Sequence, residues 1–167
     1  MTLGELNAMS EDRFVAALGG IFEHSPWVAQ RALVDRPFAS VDALHASMVA
    51  AVERASETAK LKLLRAHPEL AGKAAVRGEL TADSRQEQSG AGLAQCTPQE
   101  FARLTELNAR YNARFGFPFI LAVKGYDRAG IIADFERRVR HDRAVELKEC
   151  LAQVARIARY RLEALVG

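Results

Sequence analysis

A histidine directly before a proline, a carboxylate beside an amide on one helical face, and an arginine on an otherwise apolar stripe are the groups in this chain that could do chemistry. The histidine stands in His67-Pro68-Glu69-Leu70-Ala71-Gly72-Lys73. Proline disfavours the helical conformation in the residue before it, so a helix arriving from the N-terminal side is predicted to stop there, with His67 at its C-terminal edge. The negative end of the helix dipole favours an imidazolium, which makes His67 a candidate proton donor. The competing reading is a cap whose ring bonds the last helical carbonyls. In Ser84-Arg85-Gln86-Glu87-Gln88, the spacing i, i+3, i+4 puts the Ser84 hydroxyl, the Glu87 carboxylate and the Gln88 amide on one face. That face suits recognition of a small polar molecule, or it is simply solvated.

The third group is Arg161. From Asp142 onward the pattern predicts a long helix to about Val166, on which Leu147, Leu151, Val154, Ala158, Arg161 and Leu165 succeed one another at steps of four and three. Arg161 therefore falls on the apolar stripe, while Arg156 and Arg159 fall on the opposite side. A guanidinium there needs an anion: a structural ion pair, a snorkelled position near the helix end, or a bound ligand.

The elements that must position these groups are helical almost throughout. Ser10 caps a segment ending at Gly19-Gly20, and Ser25-Pro26 reads as N-cap plus first-position proline for a helix ending before Pro37. Ser40 starts a longer helix through Leu44, Met48 and Val52, and Ser56 restarts or continues it to about Ala66. Thr81 to Gly90 reads as a helix broken by Ala91-Gly92. Thr97-Pro98-Gln99-Glu100 combines N-cap, first-position proline and capping-box glutamate. Its helix is predicted to bury Phe101, Leu104, Leu107 and Tyr111 and to end at Gly116. Phe117 to Val123, which begins inside Arg114-Phe115-Gly116-Phe117-Pro118-Phe119-Ile120, is too short and proline-marked for a helix and is predicted to be extended. Helix resumes from about Ala129 to Arg140. The expected fold is all-α: one domain over residues 1–167, a bundle of about eight helices with one extended segment near 117–123.

Composition narrows the partners. With 167 residues the chain is long enough for a real core, and 49% hydrophobic with 26% charged residues is ordinary for a globular protein. A net charge of +2 gives no general reason to expect nucleic acid, and no apolar run suggests a membrane span. The acidic N-terminal residues Glu5, Glu11 and Asp12 argue against a signal peptide, and Leu165-Val166-Gly167 is no peroxisomal address, so the cytoplasm is expected. Cys96 and Cys150 stand apart and are expected as reduced thiols; no histidine or cysteine spacing suggests a metal site. His24 reads as structural, and His45 and His141 as ordinary helix positions.

The three segments occur together, and in this order, in a family that the chain resembles: the 2-oxo-4-hydroxy-4-carboxy-5-ureidoimidazoline (OHCU) decarboxylases of urate breakdown. These carry His-Pro-Glu-Leu, Ser-x-x-Glu-Gln-x-x-Ala-Gly-Leu and Phe-Gly-Phe-Pro-Phe. All three stand here, with Glu23-His24-Ser25-Pro26-Trp27 and Ile157-Ala158-x-x-Arg161-Leu162 extending the resemblance over nearly the whole chain. It implies an all-helical, cofactor-free enzyme, commonly a homodimer, converting a small anionic ureidoimidazoline to (S)-allantoin. By resemblance His67 is the catalytic acid, aided by Glu87 and Arg161, and Pro68 is a pocket wall. Ser84, Arg85, Gln86, Glu87 and Gln88 match the substrate-binding helix, and Phe119, Ile120, Leu121, Ala122 and Val123 match a segment binding the ring through its backbone. Two alternatives stand beside this reading: a non-catalytic helical partner-binding module, for which Phe115 to Ile120 would be the docking patch, and a ureide or cyclic-amide hydrolase, for which no nucleophile elbow or metal motif is present.

Overall fold

The computed structural model describes all 167 residues and contains ten α-helices, two short 3-10 turns and no strand. None of the helices is long and apolar enough to cross a membrane. The chain forms two compact units. One comprises residues 1–66 and 155–167, the other residues 67–154.

The first unit holds α1 (Leu3–Ala8), α2 (Glu11–Leu18), α3 (Trp27–Ala32), α4 (Val41–Glu53), α5 (Glu57–Arg65) and the C-terminal part of α10 (Arg143–Leu165). The short α1 was not expected, although its signal is present. Thr2 accepts from the Glu5 N–H and Glu5 returns a bond to the Thr2 N–H, a capping box. Ser40 and Ser56 accept from the N–H groups of Ala43 and Ala59, so α5 is a restart and not a continuation of α4. The expected start of α3 is corrected. Pro26 takes the N-cap position, and the Ser25 hydroxyl bonds back to the Glu23 carbonyl at 2.9 Å instead of capping the helix. Asn7 pairs with both backbone groups of Phe38 at 2.9 and 2.8 Å, which brings the Phe38 ring to stack on Phe14 in the core.

The second unit holds α6 (Lys73–Val76), α7 (Ala82–Gly90), α8 (Pro98–Phe115), α9 (Arg128–Arg138) and the N-terminal part of α10. The start of α8 matches its expected Thr97-Glu100 capping box, and Gly116 ends it in the left-handed region at φ 77°. Its buried face is Leu104, Leu107, Asn108, Tyr111 and Phe115; Phe101, expected inside, is 41% exposed because the stripe begins one turn later. Tyr111 is the hub of the core, meeting Phe115, Phe117, Phe119 and Phe135 edge-on with centroids 4.5–6.0 Å away. Such pairs each add about 0.5–1.5 kcal/mol beyond area burial.

The buried stripe of α10 also differs from expectation. Leu147, Leu151 and Leu165 are only half-buried, whereas Glu146, Cys150, Gln153, Val154, Ile157, Ala158, Arg161 and Leu162 are buried. The stripe is rotated by roughly 50° at 100° per residue, because polar members such as Glu146 and Gln153 carry no hydrophobic signal.

Candidate active site

α5 closes at Ala66, and His67 is the next residue, 7% exposed, with Pro68 after it preventing another helical turn. The loop beyond Pro68 is held from two helices. From α7, Gln88 donates to the Glu69 carbonyl at 3.3 Å and accepts from the Ala71 N–H at 3.0 Å. From α8, Asn108 donates to the Leu70 carbonyl at 3.0 Å and Asn112 to the Glu69 carboxylate at 2.6 Å. These bonds sustain a strained backbone, since Ala71 lies at φ 50°, where a residue with a Cβ costs about 1–2 kcal/mol. The Glu69 side chain folds over Gly72, where an added Cβ would come within 2.6 Å of the Glu69 Cβ. Asn108 and Asn112 escaped sequence reasoning. The available signal was an amide at position 108, four residues after Leu104 and three before Tyr111, a spacing that puts it on the core face.

On α7 the Thr81 hydroxyl accepts from the Ser84 N–H at 3.2 Å and fixes the first turn. Ser84 and Gln88 are buried and Glu87 is half-buried, while Arg85 and Gln86 are exposed. The i, i+3, i+4 face is thus the inward one, as the helical period requires, and Arg85 and Gln86 point away from it. Gln88 does more than present an amide. It uses one donor and one acceptor to hold the His67 loop, retaining one N–H and one lone pair for another partner.

The Phe119–Val123 segment is neither helix nor strand, and all five side chains are buried. The Phe119 ring lies between Phe135, stacked at 3.9 Å, and the Arg138 guanidinium, 4.4 Å from its centroid. Arg138 is fully buried and donates to the Ile120 carbonyl at 2.7 Å, to Glu146 at 2.9 Å and to the Cys150 sulfur at 3.4 Å. Glu146 also accepts from the Tyr111 hydroxyl at 2.6 Å and faces His141 at 2.9 Å. His141, expected within a helix, lies in the turn between α9 and α10 and belongs to this cluster. Burial opposes the Arg138 cation, but Cys150, Glu146 and Tyr111 outweigh it and hold the guanidinium above its usual range. Burial likewise pushes the Cys150 thiol and the Tyr111 phenol upward. The cluster therefore centres on one firm cation, Arg138.

Arg161, in the first unit, is also buried. It donates to the Glu23 carboxylate at 2.7 Å and to the Gly20 carbonyl at 3.2 Å. Glu23 is 2% exposed, so the guanidinium found on the stripe has the buried anion that its position demands.

A family model for OHCU decarboxylase matches residues 7–163. The chain belongs to the OHCU decarboxylase family. It is accordingly an enzyme of the carboxy-lyase type, and the partner-binding reading gives way. The OHCU decarboxylase of Haloferax volcanii is 45% identical over 162 residues, covering 97% of this chain and 94% of that one. A uric acid degradation bifunctional protein of Bacillus sp. is 39% identical over 98% of this chain but only 32% of its own length. A crystal structure of (S)-allantoin synthase superposes with a TM-score of 0.81 at 31% identity, covering 99% of this chain and 54% of that one, so this chain spans about half of it. A crystal structure of OHCU decarboxylase in the presence of (S)-allantoin shares the fold, with a TM-score of 0.72 at 22% identity over 93% and 98% of the two chains.

The unit of residues 67–154 brings His67, Pro68, Ser84, Glu87, Gln88 and Phe119–Val123 into one compact body. Within it the His67 loop and the α7 face are tied directly by Gln88. Arg161 lies in the other unit, paired with Glu23. No group of three or more His, Cys, Asp or Glu side chains is arranged to hold a metal ion.

Proposed function

We propose that the chain decarboxylates 2-oxo-4-hydroxy-4-carboxy-5-ureidoimidazoline to (S)-allantoin in urate degradation, with His67 as general acid. The observation that carries this reading is the double hydrogen bond of Gln88, which sets the loop after the buried His67 against the helix bearing Ser84 and Glu87. Family membership supplies the reaction class, and the names of the relatives supply the substrate and product.

The chemistry asks little of the protein beyond placement. As the C4–carboxylate bond breaks, its electron pair forms a C4–C5 double bond and the neighbouring carbon–nitrogen double bond yields its pair to nitrogen, which is protonated. The resulting enol loses its hydroxyl proton as C5 gains one, so the net uptake is a single proton for each carbon dioxide released. The substrate is its own electron sink, so the reaction needs no cofactor. A protonated His67 delivers or relays the proton to one face of C5, a contribution worth about 10²–10⁴ in rate. Glu87 holds the ureido N–H groups or the 4-hydroxyl, and the remaining N–H of Gln88 helps to orient the ring. Arg161 offers an anion-binding charge already balanced by Glu23. That balance is useful, because a bare guanidinium on the leaving carboxylate would stabilise the ground state and slow its departure.

The test generates the unstable substrate in situ from urate with the upstream oxidase and hydrolase and monitors optical rotation. Wild type should accelerate appearance of the S enantiomer, and His67→Ala should lose turnover by about 10²-fold or more while keeping its helical signal. No acceleration of one enantiomer by wild type refutes the substrate assignment. Near-normal turnover by His67→Ala removes His67 as the acid.

A further inference from the structure

The run from Phe119 to Val123 is held through its backbone on both sides of Leu121 by side chains of α9 and α10. The Ile120 carbonyl accepts from Arg138 at 2.7 Å, and the Ala122 N–H donates to Gln153 at 3.0 Å. The donors and acceptors that take them are themselves fixed. Gln153 is buried, and its amide nitrogen donates to Glu149 at 2.9 Å, so its oxygen is the end that faces Ala122. Arg138 is oriented by Glu146 and Cys150 and by its stacking on Phe119. A leucine or methionine would fill the site of Gln153 with no polar group to desolvate, so the amide is explained by the backbone group that it binds.

We propose that Gln153 and Arg138 are positioning residues that decide which peptide groups of Phe119–Val123 meet the substrate, leaving Leu121 as the residue that presents its N–H and C=O. Across a trans peptide bond the C=O of one residue and the N–H of the next point in opposite directions. The Ile120 carbonyl and the Ala122 N–H, on either side of Leu121, are both captured from α9 and α10. Leu121 therefore faces the other way. The Val123 carbonyl accepts from the Tyr126 N–H at 2.9 Å, which closes the run on its C-terminal side. A donor and an acceptor on one residue suit an amide or ureide group, which offers the complementary pair. This inference rests on the proposed reading of the segment as a backbone clamp on the substrate ring.

The variants separate positioning from mere stability. Gln153→Leu removes the acceptor for Ala122 and keeps the volume. The exchange Gln153→Glu with Glu149→Gln restores an acceptor at 153 and a donor at 149. Gln153→Leu should raise KM about tenfold, equivalent to about 1.4 kcal/mol, with a smaller change in kcat, and the exchange should return KM to within about threefold of wild type. A folded Gln153→Leu with wild-type KM, or an exchange variant as impaired as Gln153→Leu, overturns the proposal. Amide hydrogen exchange on ligand-free wild type tests it even where Gln153→Leu does not fold. The Ala122 amide should exchange at least about tenfold more slowly than that of Leu121; equal protection of the two overturns the proposal. Wild type inert toward the ureidoimidazoline would instead defeat the functional reading, and the exchange measurement would still decide which peptide groups are free.

Discussion

Arg161 offers the sharpest test of how this fold uses a buried charge. The guanidinium and the Glu23 carboxylate approach to 2.7 Å with side chains 5% and 2% exposed, so each is compensated by the other in a medium that water hardly reaches. Replacing Arg161 by methionine keeps much of the volume and removes the cation that balances Glu23. Breaking such a buried pair from one side costs about 3–5 kcal/mol. For a chain of this size each kcal/mol moves the midpoint by about 2–4 °C, so Arg161→Met should lower Tm by roughly 10 °C, read by helical circular dichroism. Combining it with Glu23→Gln removes the stranded charge and should recover more than half of the loss, a coupling that a double-mutant cycle measures directly. A Tm for Arg161→Met within about 2 °C of wild type would refute the reasoning, because a pair this buried cannot be removed from one side at no cost. Turnover, measured well below either midpoint, separates the second role. If the stabilised double variant is as active as wild type, Arg161 serves the fold alone; if it is stable but impaired, the guanidinium also meets the substrate.

Further expectations concern other parts of the molecule. Thr97→Ala removes the hydroxyl that accepts from the Glu100 N–H at 3.1 Å and should cost about 1 kcal/mol, visible as a shift in the urea midpoint. Its partner adds a pH signature: the Thr97 N–H, and after it Arg128, hold the Glu100 carboxyl below its ordinary 4.5, so its contribution is present above that pH and is lost as pH falls through the depressed value. Glu100→Gln should therefore lower Tm at neutral pH, with the difference from wild type vanishing in acid; a difference that grows in acid would reverse the sign. Gly116→Ala places a Cβ at φ 77° and should destabilise by about 1–2 kcal/mol in the same denaturation assay, whereas an unchanged midpoint would mean that the α8 terminus relaxes freely. The homodimer implied by the family resemblance should appear in light scattering as twice the chain mass of 18.3 kDa, and a monomer at enzyme-assay concentrations would remove it.

How much of this was legible in the sequence depended on how local each signal was. The start of α8 could be read in full, because Thr97, Pro98 and Glu100 act within one turn. So could the end of the helix before His67-Pro68, a matter of one proline ring. Local signals were also overlooked, as with Thr2 and Glu5, whose box opens a helix too short to show any hydrophobic period. The four-residue α6 carries no signal of that kind at all. Where packing decided, periodicity misled. Phe101 looks like the first core residue of α8 and is the exposed edge of its stripe, while Asn108, polar by type, lies on the buried face and holds the Leu70 carbonyl.

Two buried arginines show why some buried charges stand out in a sequence and others do not. Arg161 was conspicuous because Val154, Ala158 and Leu165 share its face of the helical wheel, so any charge there contradicts its neighbours. Arg138 sits in Arg137-Arg138-Val139-Arg140, where one more charge contradicts nothing, yet it is the more buried of the two, at 0% exposure against 6%. Its partners are Glu146, on the next helix, and the Ile120 carbonyl, eighteen residues earlier. Glu146 in turn lies off the apolar line read for α10 and is one reason that line was read about 50° out of phase. A buried ion pair thus conceals itself twice, as a cation lost among surface cations and as an anion that erases the hydrophobic period of its own helix. The search that would expose it looks for polar residues spaced like core residues on two successive helices, and Arg138 with Glu146 and Gln153 meets that description in this chain.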